Sequence, residues 1–401
     1  MIYECPVTQN KDVFEQNLSK ISKIAKSDNK SIKTANLERP SLKKLEHLIK
    51  AVFRCFFNCL CLIFKKNNKS NFYVAFIIHG GIGDTIRQIT IISEIVKMFP
   101  NIVIDIYTNR HLYFLFKEIK KVRFFFEIDL IVLTKKKYDI IYKLMAVYKT
   151  SSIDQEIIFN TKDKAESNKI QSNIRAYKDK YLSPLNNNLH HISISKAASG
   201  VDNIEDISLT LNFNPVPLEK FGITKDLKYI TFNYGAGGEG CNVDSKCWPR
   251  QHWETLLKIL QKNLKGVTIV QLGVSTYNFS GTNIINTACK TSFNELCTIL
   301  KNSLLHIDID GACIHIAKAI GTKAIALFGP TSAKITGYPE NINIISSLCR
   351  DCYHIFDHQF WGRCALGYEK SLCMNSISPE FVANKAIEYI NGVSKVSFKV
   401  S

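Results

Sequence analysis

The stretch Leu304-Leu305-His306-Ile307-Asp308-Ile309-Asp310-Gly311-Ala312-Cys313-Ile314-His315-Ile316-Ala317-Lys318-Ala319-Ile320-Gly321 reads as an apolar strand at 304–309, a glycine-containing turn and an apolar helix at 314–320. A further strand follows at 324–329. Such a turn gathers backbone N–H groups and the positive end of a helix dipole at one spot, which suits an anionic ligand. The same arrangement occurs far upstream, where His79-Gly80-Gly81-Ile82-Gly83-Asp84 follows a strand at 72–78 and precedes a helix running from 84 to about 97. With one such turn in each half of the chain, the pattern predicts a ligand held between two domains.

Outward from both turns, apolar strands alternate with helical stretches. The first half places strands at 72–78, 102–107 and 128–133. The second places a strand at 229–233, a glycine-rich loop at 235–240 containing Gly235 and Gly237, a helix at 252–264, a strand at 267–273 and a helix at 293–302. Continuous apolar strands between helices indicate parallel sheets covered on both faces. The fold class is α/β, with two facing doubly wound Rossmann-like domains whose ligand lies beyond the carboxyl ends of the strands. The expected organisation is a basic extension at 1–70, an acceptor-side domain at 71–222, a nucleotide-sugar domain at 223–377, and a C-terminal helix and tail at 378–401. Ser378-Pro379-Glu380 supplies a cap and a proline at the start of a helix at 381–390. Residues 150–220 carry polar and basic stretches that interrupt any clean period.

At 401 residues the chain exceeds what one core usually supports, and 46% apolar with 22% charged residues is ordinary for folded protein. The net charge of +17 favours anionic partners. Nearly half of that excess lies in residues 1–70, where fourteen Lys and Arg face six Asp and Glu, which points toward a surface rather than a site. Within it, residues 48–64 are apolar except for Lys50, Arg54 and Asn58, which share one helix face. Two cations costing about 2.5–3.5 kcal/mol each at a bilayer centre argue against a span. Two readings stay open: an amphipathic helix on an anionic leaflet, followed by Lys65, Lys66 and Lys69, or a helix packed on the body of the protein. Thirteen cysteines without a regular framework, behind no basic-then-apolar leader, favour a reducing cytoplasm. No aromatic-and-basic recognition segment marks a nucleic-acid protein.

Neither glycine turn has the G-x-G-x-x-G dinucleotide pattern or the Gly-Lys-Ser/Thr of a phosphate loop, which disfavours a dehydrogenase and an NTPase. Asp84 at its helix start reads either as a cap or as a carboxylate offered to a ligand. Lys246, before Cys247-Trp248-Pro249, reads as a phosphate-pairing charge or a solvated one, and Trp248 and Trp253 read as core anchors in the second case. Asp310 beside an anion-binding turn would repel phosphate and suits sugar hydroxyls better. Cys349 and Cys352, then Cys364 and Cys373, offer four thiolates that would bind Zn or Fe tetrahedrally; free buried thiols are the alternative.

Over roughly residues 72–390 these segments resemble the ADP-heptose-dependent heptosyltransferases of the GT-B class. The resemblance implies a GT-B fold with a C-terminal crossover helix, and an inverting transfer of heptose from ADP-heptose to a sugar on the inner core of lipopolysaccharide. It implies that Asp84 is the catalytic base and that Lys246 contacts the donor phosphate. The family's Asp-Thr-Gly-x-x-His segment falls on Asp310, Gly311, Ala312, Cys313, Ile314 and His315, so Asp310, Gly311, Ala312, Cys313 and His315 are expected donor-binding residues. Here the Thr and the Gly are replaced. Gly321 and Phe328-Gly329-Pro330-Thr331 fit the family. No cofactor is implied for catalysis, while an iron-binding cysteine cluster is a feature of the relatives that modify autotransporter proteins. The implied partners are a phosphorylated glycolipid acceptor and an anionic membrane surface, at the cytoplasmic face of the inner membrane. An autotransporter protein acceptor, another sugar nucleotide, and a catalytically silent binding protein on the same scaffold are the alternatives.

Overall fold

A computed structural model of the chain describes residues 1–6, 11–28, 50, 55, 58, 60–61, 68, 70–117, 119–144, 157–160, 164–181, 189–235, 244–275, 277–279, 283–355, 360 and 362–397. The chain divides into two compact units. One is discontinuous, made of residues 1–33 and 211–401, and the other, residues 34–210, is inserted into it.

The discontinuous unit is built on a seven-stranded sheet. In chain order its strands are β1 (Ile2–Cys5) and, after the five strands of the inserted unit, β7 (Tyr229–Asn233), β8 (Thr268–Leu272), β9 (Ile284–Asn286), β10 (His306–Ile309), β11 (Ala324–Phe328) and β12 (Ile342–Ser346). Their lateral order is β1-β12-β11-β10-β7-β8-β9, and every neighbouring pair is parallel. Such a sheet is buried on both faces, which is why β8, β10 and β11 contain no exposed residue. The helix Arg250–Asn263 lays Trp253, Leu256, Leu257 and Leu260 on this core. The helix Pro379–Ser397 adds Val382, Ala383, Ala386 and Ile390. Its start is capped as expected, the Phe381 N–H donating to Ser378 Oγ at 3.2 Å.

The inserted unit holds a five-stranded sheet of β2 (Phe72–Ile78), β3 (Ile102–Tyr107), β4 (Val122–Phe126), β5 (Ile140–Leu144) and β6 (Ile157–Phe159), in the order β4-β3-β2-β5-β6. All pairs are parallel except β5 with β6. β2 is buried along its full length.

In each sheet the chain winds outward in both directions from one central strand. From β2 it steps to β3 on one side and later reaches β5 on the other; from β7 it steps to β8 and later reaches β10. The loops beyond the carboxyl ends of β2 and of β7 and β10 therefore lie at the switch points of their own sheets, where doubly wound sheets bind ligands. Both glycine turns occupy such positions.

Four expectations require correction. Residues 1–33 are part of the discontinuous unit rather than of an extension. β1 pairs with β12, the helix Lys11–Asp28 buries Ile21 in the same core, and Asn17 Nδ2 donates to the Leu348 carbonyl at 3.1 Å. A four-residue edge strand with one fully buried residue, Cys5, carries too little pattern to be read alone. The boundary between the units falls at 210/211 rather than 222/223, because Leu211 and Leu218 are buried and the Val216 N–H donates to Thr298 Oγ1 at 3.2 Å. Residues 128–133 form short helical turns instead of a strand. The strand at that edge is Val122–Phe126, held through Arg123 to the buried carboxylate of Asp105 at 3.1 Å. The C-terminal helix packs into the core of the discontinuous unit rather than standing apart from it.

Most of residues 48–64, together with Lys65, Lys66 and Lys69, lies outside the described residues. Among the described residues, no helix is long and apolar enough to cross a membrane.

Candidate active site

In the inserted unit, the turn after β2 is shaped by its own acid. Gly80 has φ +112, a left-handed backbone, and a Cβ there would stand 2.6 Å from Asp84 Oδ2. Gly81 caps the helix Ile82–Met98 with extended geometry. Its N–H donates to Asp84 Oδ2 at 3.2 Å, and its carbonyl accepts from the Thr85 N–H at 3.0 Å and the Thr85 hydroxyl at 2.9 Å. Asp84 therefore does cap its helix. Its other oxygen is paired with Arg87, whose side chain is buried while that of Asp84 is 30% exposed. The helix begins at Ile82, so Gly83 is the buried second residue of its first turn, not part of the glycine loop as expected.

In the discontinuous unit, the acid lies before the turn. Asp310 follows β10, its N–H donates to the Leu327 carbonyl at 3.1 Å, and its side chain is 6% exposed. Lys246, at the end of the short turn Asp244–Lys246, donates Nζ to Asp310 Oδ2 at 3.1 Å and is itself only 15% exposed. Burial alone would push the Asp310 carboxyl up, but Lys246 and His315 overcome it and hold it well below the usual carboxylate range. A buried pair of this kind leaves a costly unpaired charge if one partner is removed.

Gly311 then caps the nine-residue helix Ala312–Ile320 in extended geometry. The Ile314 N–H turns back to the Gly311 carbonyl at 3.2 Å, while those of Ala312 and Cys313, at the helix start, have no intrahelical acceptor. The Cys313 side chain does not serve a ligand beyond the turn: its thiol is buried and pushed well above the usual range by desolvation, then by Asp308 and Cys297. His315 is likewise buried, with Nδ1 2.7 Å from the Tyr338 hydroxyl. Trp248 and Trp253 are core anchors, buried edge to face at 5.0 Å, with Trp248 Nε1 donating to the Ile377 carbonyl at 3.1 Å. Gly235, two residues beyond β7, has φ +99; Gly237 lies outside the described residues.

The four cysteines are drawn together. Cys349 and Cys373 share a thiol–thiol hydrogen bond that lowers the first and, with burial, raises the second, and burial likewise pushes the Cys352 thiol up. Three are buried and Cys364 is half-buried. A Cβ on Gly329 would stand 2.9 Å from Cys373 Sγ, so the cluster packs directly beneath the loop after β11. A link that sequence reading missed joins this cluster to Lys246. Tyr353, next to Cys352, shares a short hydroxyl–hydroxyl bond with Ser245, and its hydroxyl also accepts the Gly362 N–H at 3.0 Å. A buried tyrosine hydroxyl needs a partner, but nothing in the sequence names one that lies 108 residues away.

The family model "Glycosyltransferase family 9 (heptosyltransferase)" matches residues 133–361. No curated protein matches the chain in sequence. Among solved structures, the iron-containing dodecameric glycosyltransferase TibC from enterotoxigenic E. coli H10407 is similar at 12% identity, over 82% of this chain and 80% of that one, with a TM-score of 0.55. The TibC heptosyltransferase in complex with ADP-D-beta-D-heptose gives 11% identity, 82% and 78% coverage and the same score. The ADP-heptose lps heptosyltransferase II of E. coli gives 15% identity, 80% and 98% coverage and a TM-score of 0.49. At these identities the likeness to TibC shows a shared GT-B fold.

Proposed function

The chain belongs to glycosyltransferase family 9, and from that premise we propose that it moves heptose from ADP-heptose to a sugar hydroxyl on the inner core of lipopolysaccharide, with inversion at the anomeric carbon. The observation that carries this reading is the buried Lys246–Asp310 pair, 3.1 Å apart at the amino end of the helix Ala312–Ile320. It sets a cation beside backbone N–H groups that lack intrahelical acceptors, an arrangement suited to a departing diphosphate.

In the proposed step, the acceptor oxygen attacks the anomeric carbon and the bond from that carbon to the β-phosphate oxygen breaks. Asp84 takes the acceptor proton, a contribution worth roughly 10²–10⁴-fold. Lys246 and the amides at Gly311, Ala312 and Cys313 take up the charge that develops on ADP. Asp310 keeps Lys246 in place through Oδ2 and orients the donor sugar with its other oxygen. Basic residues of the inserted unit and of residues 1–70 hold the phosphorylated acceptor at the inner face of the inner membrane.

Cys349, Cys352, Cys364 and Cys373 offer a donor set of four sulfurs, mostly buried, whose chemistry suits a structural Zn or Fe ion, although among the described residues they do not lie within 4.8 Å of one another as His306, Asp308 and Cys313 do. Such an ion would brace the loop after β11 and, through Tyr353 and Ser245, the turn bearing Lys246. It takes no part in the transfer. This cluster favours a second reading, in which the acceptor is an autotransporter protein, because the TibC structures are iron-containing.

The test incubates wild type and Asp84→Asn with ADP-heptose and heptose-deficient lipopolysaccharide, following ADP release and lipid mass. Acceptor-dependent release with one heptose added, lost in the variant, supports donor, acceptor class and base together. Release only with an autotransporter protein moves the acceptor to the second reading. ADP binding without release from any sugar nucleotide identifies a silent binding protein.

A further inference from the structure

Beneath the turn after β10 lies a second group of metal-ligating side chains. His306 and Asp308, two residues apart on β10, present to the same face of the sheet, and Cys313 reaches back from the first turn of the following helix. One ligand atom from each lies within 4.8 Å of the other two, and all three residues are buried. His306 Nδ1 is 3.0 Å from the Thr231 hydroxyl, but Nε2, also buried, makes no hydrogen bond, and its nearest charged neighbour is Asp308 Oδ2 at 3.5 Å. Asp308 accepts from Asn233 Nδ2 at 3.1 Å and from the Ile309 N–H at 2.7 Å. Neither of these donors carries a full charge, and the His306 ring faces the carboxylate at 3.5 Å.

We propose that His306, Asp308 and Cys313 form a buried site for a divalent cation, distinct from the four-cysteine cluster, and that zinc is the ion it takes. The donors match zinc's preference for imidazole, carboxylate and thiolate. Charge also balances: a dication with one carboxylate, one thiolate and a neutral imidazole is neutral overall, which a dry site requires. Binding releases the Cys313 thiol proton, and the metal–sulfur bond replaces the S–H bond. Zinc–ligand bonds of about 2.0–2.3 Å place tetrahedral ligands roughly 3.3–3.8 Å apart, so the group needs only a small contraction to close. Cys297, also buried, is a further thiol that bears electrostatically on Cys313.

The site bears on the donor turn. A Cβ on Gly311 would stand 3.6 Å from Asp308 Oδ2, so an ion held there fixes the strand end from which Asp310 and the helix start project. The Asn233 amide that steadies Asp308 is itself pressed by Gly273, where a Cβ would fall 1.9 Å from Asn233 Oδ1.

The experiment strips full-length protein with a chelator, reloads it with Co²⁺ or Zn²⁺, and measures bound metal per chain in wild type, Cys313→Ser, His306→Gln and Cys373→Ser. Wild type is expected to hold one equivalent more than Cys313→Ser or His306→Gln, and Cys373→Ser to keep that equivalent. Equal metal content in wild type and both site variants overturns the proposal. Should the variants fail to fold, zinc-edge absorption on wild type decides: nitrogen or oxygen neighbours alongside sulfur support the site, while sulfur alone, or no retained zinc, rejects it.

Discussion

The two glycine turns look alike in sequence and differ in where they keep their acid. After β2, Asp84 stands inside the helix, folds back over Gly80 and Gly81, and stays 30% exposed. After β10, Asp310 precedes the turn and is buried, with Lys246 clamped on it. Both acids hold a cation, Arg87 for Asp84 and Lys246 for Asp310, but only Asp84 keeps a partly exposed face. Under the proposed function that exposure suits Asp84 to the role of base and leaves Asp310 to position Lys246 and the donor sugar.

The strongest way to break this contrast is Asp84→Asn, expected to lower turnover by about 10²–10⁴-fold while ADP affinity holds; single-turnover kinetics with calorimetric ADP titration would check it. If Asp310→Asn instead gave the larger loss of turnover with affinity intact, the assignment would be reversed. Next, Lys246→Met strands a buried carboxylate and should cost about 3–5 kcal/mol in denaturant unfolding. Adding Asp310→Asn should return part of that loss.

A third test uses an acid packed on the loop after β11, where the Asp351 N–H donates to the Gly329 carbonyl. Burial pushes the Asp351 carboxyl from 3.8 up to about 6, and Arg350, 3.9 Å away, only partly opposes it. A raised carboxyl binds its proton more tightly in the folded state, so wild type should lose up to about 3 kcal/mol of stability as pH rises from 3.8 to 6, and then no more. Unfolding followed across that range should show the loss in wild type and not in Asp351→Asn. The smallest effects separate neighbouring glycines. Gly80→Ala, at positive φ and against Asp84, should cost about 1–3 kcal/mol and reduce turnover. Gly81→Ala meets nothing within 4 Å and should change stability by less than about 0.5 kcal/mol.

The strands, the doubly wound class and both turns were readable because apolar runs such as Phe72–Ile78 and Ala324–Phe328 leave little choice of period. Asp84 and Lys246 were likewise singled out by local motif. What could not be read was partnership across distance. Lys246 meets Asp310 sixty-four residues away, and Tyr353 meets Ser245 across 108. Nor does sequence tell which way a side chain turns at a helix start: the Cys313 and His315 side chains are buried, while the Cys313 N–H still lies at the start of the helix. Residues 128–133 misled for another reason: an apolar run of six is as compatible with packed turns as with a strand.

β1 has a consequence for how the protein is made. Its partner β12 lies more than three hundred residues further along the chain, so on the ribosome Ile2–Cys5 emerges early and waits through most of synthesis for the strand it joins. Residues 34–210 have the sequence they need well before that closure, and loop-closing pairings of such separation form late. A bulky group placed against β1 would therefore burden the last step of assembly rather than the first, and would show as slow maturation of the discontinuous unit in a pulse-chase experiment.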